Sequence, residues 1–350
     1  MGIINRSKSY LCAAAALVAA IGTVGLSPVG GLTAASASPK SSFTIGFSQA
    51  WAGNSFRQEE DADFAKVAQA MIKSGQLESY TILNANGSVS TQLSQIDDLI
   101  LKHVSLIVID PSSSTGLNGV IAKAHSVGIP VLVTSDGPVT SKIPYELYGN
   151  DNLITAAEAA YIGKRLHGVG NVLEIQGIAG NSAEKEFQSG MAHGFAAFPG
   201  MKIVGSVYGD WSQTVSQSQV AAILPSLPPV KAVITATGEA YGAIQAFQAA
   251  GRPVPLIVAG GCACETDWVL QQEKQPGGYT TVNYSPNPGI GAATAYVALD
   301  ILKHLKVPKT MIMPMLTIPE SQFSKFSNLP PTTQLQQVFS NAWTTAKLLK

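Results

Sequence analysis

The sequence predicts an α/β protein of two similar lobes, each a parallel-sheet α/β sandwich, joined by three crossover segments. Three observations carry this reading. From Phe43 onward the chain repeats a short apolar strand, a polar turn and an amphipathic helix, the pattern of parallel α/β sheets. The runs "LIVID" (106–110) and "AVITA" (232–236) are apolar on both faces, as befits strands covered by helices on both sides. The 313 of 350 residues that follow an N-terminal leader suit two domains better than one large sheet.

Residues 1–37 read as a cleaved signal peptide. Arg6 and Lys8 form a positive start, Leu11 to Leu26 an apolar core, and Ala35, Ser36 and Ala37 a small-residue cleavage site. The strands then follow in order: "FTIGFSQ", "YTILNAN", "LIVID", "IPVLVTSD", "NVLEIQG", "KIVGSVYGD", "KAVITAT", "PLIVAGG" and "YTTVNYS". Clear helices are expected at 156–166 and 290–305. The rhythm breaks at 145–152, 283–289 and 311–320, which we read as the crossovers. They divide the chain into an N-terminal lobe, 43–149 with 285–312, and a C-terminal lobe, 150–284 with 313–350. The final stretch reads as a polar tail with one helix, "QLQQVFSNAWTTAKLL".

After cleavage 22 acidic residues face 20 basic ones, so electrostatics give no reason to expect nucleic acid or anionic lipid as a partner. Among the cysteines only Cys262 and Cys264 remain, too few for a disulfide-stapled scaffold. No dinucleotide-binding glycine fingerprint, phosphate loop or nucleophile elbow is present. The five histidines, His103, His125, His167, His193 and His304, are spread singly within or at the ends of helices, against a metal site or a catalytic base.

In open α/β sheets ligands bind beyond the carboxyl ends of the strands. Those ends hold Ser48 to Asn54, Asp110, Asp136, Gly177, Trp211, Thr237, Gly261 and Tyr284, rich in hydrogen-bonding groups and rings but without a catalytic set. Asp110 and Asp136 either cap the following turns or accept paired bonds from ligand hydroxyls. The first turn needs Gly53 and Asn54 for its backbone but not the aromatic Trp51 and Phe56, which either face a ligand or cover the turn. In "GGCACETDW" the two thiols lack further ligands for zinc, and a disulfide across one residue would be strained. Two small side chains in a tight turn is the favoured reading there, and a redox role the other.

With strands and crossovers in place, the chain resembles the periplasmic sugar-binding proteins of ABC transporters, the ribose-binding type with the periplasmic binding protein-like I fold. The resemblance runs from about Phe43 to Pro319, and is strongest at "IDDLILKHVSLIVIDPSSSTGLNGVIAKAHSVGIPVLVTSD", "YGNDNLITAAEAAYIGKRL" and "NVLEIQGIAGNSAEKEFQSGMAHGF". It implies that Asn54 and Phe56 reach the sugar from the first turn, and that Trp211 stacks on the far face. Asn150 and Phe187 join the ligand-binding candidates on the same ground. The chain departs from the family where Gly137 follows Asp136, and at Thr237, Gly261 and Tyr284, positions where Asn, Asp and Gln are usual. Phe187 replaces an expected Arg. These departures predict a less charged, more aromatic pocket.

The function implied is capture of a small neutral carbohydrate or polyol by hinge closure, with delivery to an ABC permease in the inner membrane. The expected protein is a periplasmic monomer, uses no cofactor or metal and makes or breaks no bond. The alternatives are a periplasmic sensor subunit presenting its ligand to a receptor, a binding protein for a non-sugar ligand, or an enzyme using Asp136 or Cys262.

Overall fold

The computed structural model describes residues 42–349 except 236, 237, 259 and 338; the leader expected at 1–37 and Thr237 lie outside the described residues. The first lobe opens with β1 (Thr44–Gln49), α1 (Ser55–Lys73), β2 (Ser79–Asn84), α2 (Val89–Leu101), β3 (Leu106–Ile109), α3 (Asn118–Ser126), β4 (Val131–Ser135) and β5 (Tyr145–Gly149). The chain then crosses to α4 (Asp151–Arg165), β6 (Val169–Gln176), α5 (Ser182–Phe195), β7 (Gly200–Tyr208) and α6 (Gln213–Ile223). The second lobe continues with β8 (Ala232–Thr235), α7 (Ala240–Ala249), β9 (Leu256–Ile257), α8 (Ala263–Glu273) and β10 (Val282–Ser285). It returns through α9 (Ile290–Leu302) and β11 (Thr310–Met313), crosses again to β12 (Leu316–Pro319), and closes with α10 (Asn341–Leu348).

Two parallel sheets result. One has the order β11-β5-β4-β3-β1-β2 and the other β7-β6-β8-β9, while β10 and β12 form an antiparallel pair. The double-sided burial read from the apolar runs is visible residue by residue. On β3, Leu106 and Val108 join one core with α1 and α9, and Ile107 and Ile109 join another with α2 and α3. On β8, Val233 faces α6 and α7, while Ala232 and Ile234 face α4. Alternate side chains of one strand thus anchor two helical layers, each fully buried aliphatic contributing roughly 1.5–3 kcal/mol.

Three sequence expectations are corrected. Residues 145–149 are a strand rather than a break: only Leu147 is fully buried, so β5 shows no apolar run, yet it pairs with both β4 and β11. The break at 311–320 is likewise two strands flanking Pro314. The closing helix starts only at Asn341, where Ser340 accepts from the Trp343 N–H; Gln334 and Leu335 are instead engaged by Cys262 and Gly261. That helix packs in the first core through Leu348, with Phe339 and Trp343 beside it, so the end of the 313–350 segment leaves the second lobe and returns to the first. His103, His167 and His304 adopt left-handed backbone just past the ends of α2, α4 and α9, the place where helices stop.

Candidate ligand-binding site

Between the two sheets, at the carboxyl ends of the strands, lies a cavity of about 540 Å3 lined from both lobes. Its first-lobe wall is the turn after β1 together with the end of β4. Asn54 accepts the Arg57 N–H at 2.9 Å and so caps α1, and it also lines the cavity. This cap aims the first turn of α1, and with it Phe56 and Arg57, into the cleft.

Arg57 organises the charge. Its guanidinium donates to Glu60 at 2.7 Å, to Ser135 and to Asp136, lies 3.5 Å from Asp110, and sits 5.3 Å from the Phe56 ring centroid. Burial works against that charge, but Asp110, Asp136 and Glu60 outweigh it and raise the Arg57 pKa. Ser135 at φ 66° and Gly137 at φ 89° turn the chain sharply around Asp136. The Asp136 N–H donates to Asp110 at 3.0 Å, which fixes that turn against β3. Burial pushes Asp110 well above the usual carboxylate range, Glu60 up to about 7, and Asp151, which lines the cavity, up to about 8.

The second-lobe wall is aromatic. Trp211 follows Asp210 in left-handed backbone, φ 52° and 51°, and its N–H donates to Glu239 at 2.9 Å. Its ring lies over Gly177, where an added Cβ would stand 2.1 Å from the indole nitrogen, and packs with Ala183 and Phe187. Glutamates hold the strand-end turns: Glu184 accepts from the Gly177 N–H at 2.6 Å, and Glu265 from Gly260 at 2.6 Å and Gly261 at 3.0 Å. Burial raises both to about 7 against these bonds. Cys262 and Cys264 are a disulfide with Cα atoms 5.3 Å apart, a separation inside the ordinary range. The pairing corrects the expectation of two free small side chains. The cavity-lining Gln213 donates to both sulfurs at 3.4 Å.

Of the ten candidate residues, Asn54, Phe56, Asp136, Phe187 and Trp211 line the cavity. Trp51 instead covers its own turn, its ring pressed on Gly53. Asp110 stands behind Asp136 as a partner of Arg57. Asn150 is exposed and caps α4, accepting the Leu153 N–H at 3.0 Å. Tyr284 packs edge-on against Tyr161 at 6.4 Å, in the core between β10 and α4. Thr237 is outside the described residues. The expectation of a weakly charged pocket is overturned: the cation that does not follow Asp136 in sequence reaches it from α1. Sequence reasoning missed Arg57, Asp151, Gln213 and Gln334. The first three adjoin or nearly adjoin residues it named, so the turn was found and the side chain was not.

Comparison with known proteins agrees with this geometry. Residues 45–306 match the periplasmic binding protein domain. A xylitol-binding protein of Mycolicibacterium smegmatis is 30% identical over 177 residues, 50% of this chain and 51% of the relative. The ribose import binding protein RbsB of Bacillus subtilis is 28% identical over 279 residues, 79% of this chain and 87% of the relative. The crystal structure of an ABC transporter solute-binding protein from Thermobispora bispora superposes with a TM-score of 0.80 at 28% identity, covering 87% of this chain and 94% of the other. Two parallel-sheet lobes, a lined cleft at their strand ends and a match over most of the chain make this protein a member of the periplasmic binding protein family, whose members bind ligands and are not enzymes.

Proposed function

We propose that the chain captures a neutral sugar or polyol in the interlobe cleft and delivers it to an ABC permease in the membrane. The observation that carries this is the composition of the cavity: Phe187 and Trp211 line it from the second lobe, and Phe56 with a guanidinium–carboxylate pair, Arg57 and Asp136, lines it from the first. Ring faces suit the C–H surface of a polyhydroxylated molecule, and the charged pair offers donors and acceptors fixed toward its hydroxyls. Relatives named for xylitol and ribose binding support the ligand class. Binding draws the lobes together, 43–149 with 285–312 against 150–284 with β12 and the residues that follow it as far as Leu335, turning at the crossovers near Asn150, Tyr284 and Met313. We infer export to the periplasm through the leader at 1–37, and action as a monomer.

A thermal-shift screen of sugars, polyols, amino acids and small aromatic acids tests the reading. A ligand at about 100 times its Kd stabilises the folded form by about 2.7 kcal/mol, so a matching sugar or polyol raises Tm by several degrees. Shifts confined to amino acids or aromatic acids would overturn it.

A further inference from the structure

Beside its aromatic side chains, the second-lobe wall includes glycines from the turns after β8 and β9. Gly238 stands beyond the end of β8 and Gly260 beyond the end of β9, and both line the cavity, with Gly261 next along the chain. A side chain from elsewhere reaches Gly238 and Gly261. Residues 331–335 run as a strap along the disulfide turn: Ala263 N–H donates to Thr333 at 2.9 Å, Cys264 N–H to Pro331 at 3.2 Å, and Leu335 N–H to Gly261 at 2.5 Å. Gln334 pairs with Cys262 in this register and is buried. Its amide stands over both glycine ends, with Oε1 3.3 Å from a Cβ built on Gly261 and Nε2 3.6 Å from one built on Gly238.

The same amide spans the cleft. Its Nε2 donates to Ser55 at 2.7 Å, at the start of α1 and beside Asn54, Phe56 and Arg57. Leu335 is anchored in the second core, so the strap moves with that lobe while its Gln334 reaches the first. Gln334 and Ser55 both line the cavity. We propose that Gln334 is a specificity-determining residue of the binding site: beside Gly238 and Gly261 it presents its amide to the ligand, and through Ser55 it latches the lobes over it. This rests on the cleft being the ligand site.

The test uses the exported chain with its native disulfide, as wild type, Gln334→Leu and Ser55→Ala. Leucine keeps the volume that holds the strap and removes the amide. Calorimetric titrations use D-ribose, xylitol, D-allose and myo-inositol. In parallel, spin labels at Leu101 and Val169, exposed positions on the two lobes, report lobe separation without ligand. The expected result is a loss of about tenfold or more for the tightest of these ligands in Gln334→Leu, with a changed order among the four. Ser55→Ala weakens all of them by a few-fold with the order kept, and both variants lengthen the label separation. An unchanged order of affinities, or an unchanged separation, in Gln334→Leu overturns the proposal. If the wild type binds none of the four, the titrations use the ligands that the thermal-shift screen returns, with the same outcomes deciding, and the label separation decides the latch independently.

Discussion

At Arg57 a single guanidinium stands among three carboxyl groups, Glu60, Asp110 and Asp136, with almost no access to water. Removing one partner of a buried ion pair leaves uncompensated charge and costs about 3–5 kcal/mol. Arg57→Ala is therefore expected to lower unfolding stability on that scale in urea titrations, and to abolish ligand binding; unchanged stability would show that the carboxyl groups are not held by it. Asp151 titrates differently. Its folded pKa of about 8 lies above that of an unfolded Asp, raised by burial, then by Asp136 and Glu186 against the pull of Arg57. The folded state holds the proton more tightly, so stability from this group is full at low pH and falls as pH rises toward about 8. Asp151→Asn should flatten the decline of Tm between about pH 5 and pH 8, and an identical slope would count against it. Trp211→Ala should weaken binding by about 2 kcal/mol, the scale of an aromatic anchor. Gly177→Ala should weaken it too, by lifting the same ring, since the methyl has no room beneath the indole. Full affinity in both variants would remove Trp211 from the site. Trp211 and Phe56, which line the cavity, were named from the sequence because a ring near a turn has no backbone task, an argument that fails at Trp51, which covers its own turn. Arg57 was not, because its partners are 53 to 79 residues away and one helix turn along, and only the fold brings them together.

The elements show the same division. The strands β3 and β8 were readable because burial on both faces makes them almost wholly apolar, whereas β5, β11 and β12 are only partly buried, and β5 and β11 pair from far apart along the chain. Helix starts were marked by their caps, Asn54, Ser88, Asn150, Asn181 and Ser212. Asn150, named through the resemblance, has its side chain engaged by α4, while its neighbour Asp151 lines the cavity. The disulfide at the head of α8 was hidden for a reason of scale: its compatibility depends on a Cα separation that spacing alone does not set. It closes a very short loop, so its contribution through the unfolded chain is about 2 kcal/mol or less. Replacing Cys262 and Cys264 together with Ser should cost about that much in denaturant titrations. Binding should weaken by less than about tenfold, because the Glu265 bonds to Gly260 and Gly261 remain. A loss of binding altogether would assign the disulfide to the site itself.

For the molecule as a whole, the fold class followed from a repeating pattern, and the pairing of lobes from chain length, while the path of the last residues did not. No local signal says that a short helix after a polar stretch docks on α9 rather than on its nearest neighbours in sequence; that choice is made by the apolar faces of Phe339, Trp343 and Leu348. Hinge closure is a global property and is checked globally. A saturating ligand should reduce the radius of gyration in small-angle scattering without altering the far-ultraviolet circular dichroism. Identical dimensions would show that the cleft does not close. Among the described residues no helix is long and apolar enough to cross a membrane. The return of α10 to the first lobe has a practical outcome. A fluorophore carried on α10 rides with the first sheet, although the strap just before it is pinned to the second. Paired with a second dye on the outer face of α6, it would convert the approach of the two lobes into a change in energy transfer, making the chain an optical reporter for its own cargo.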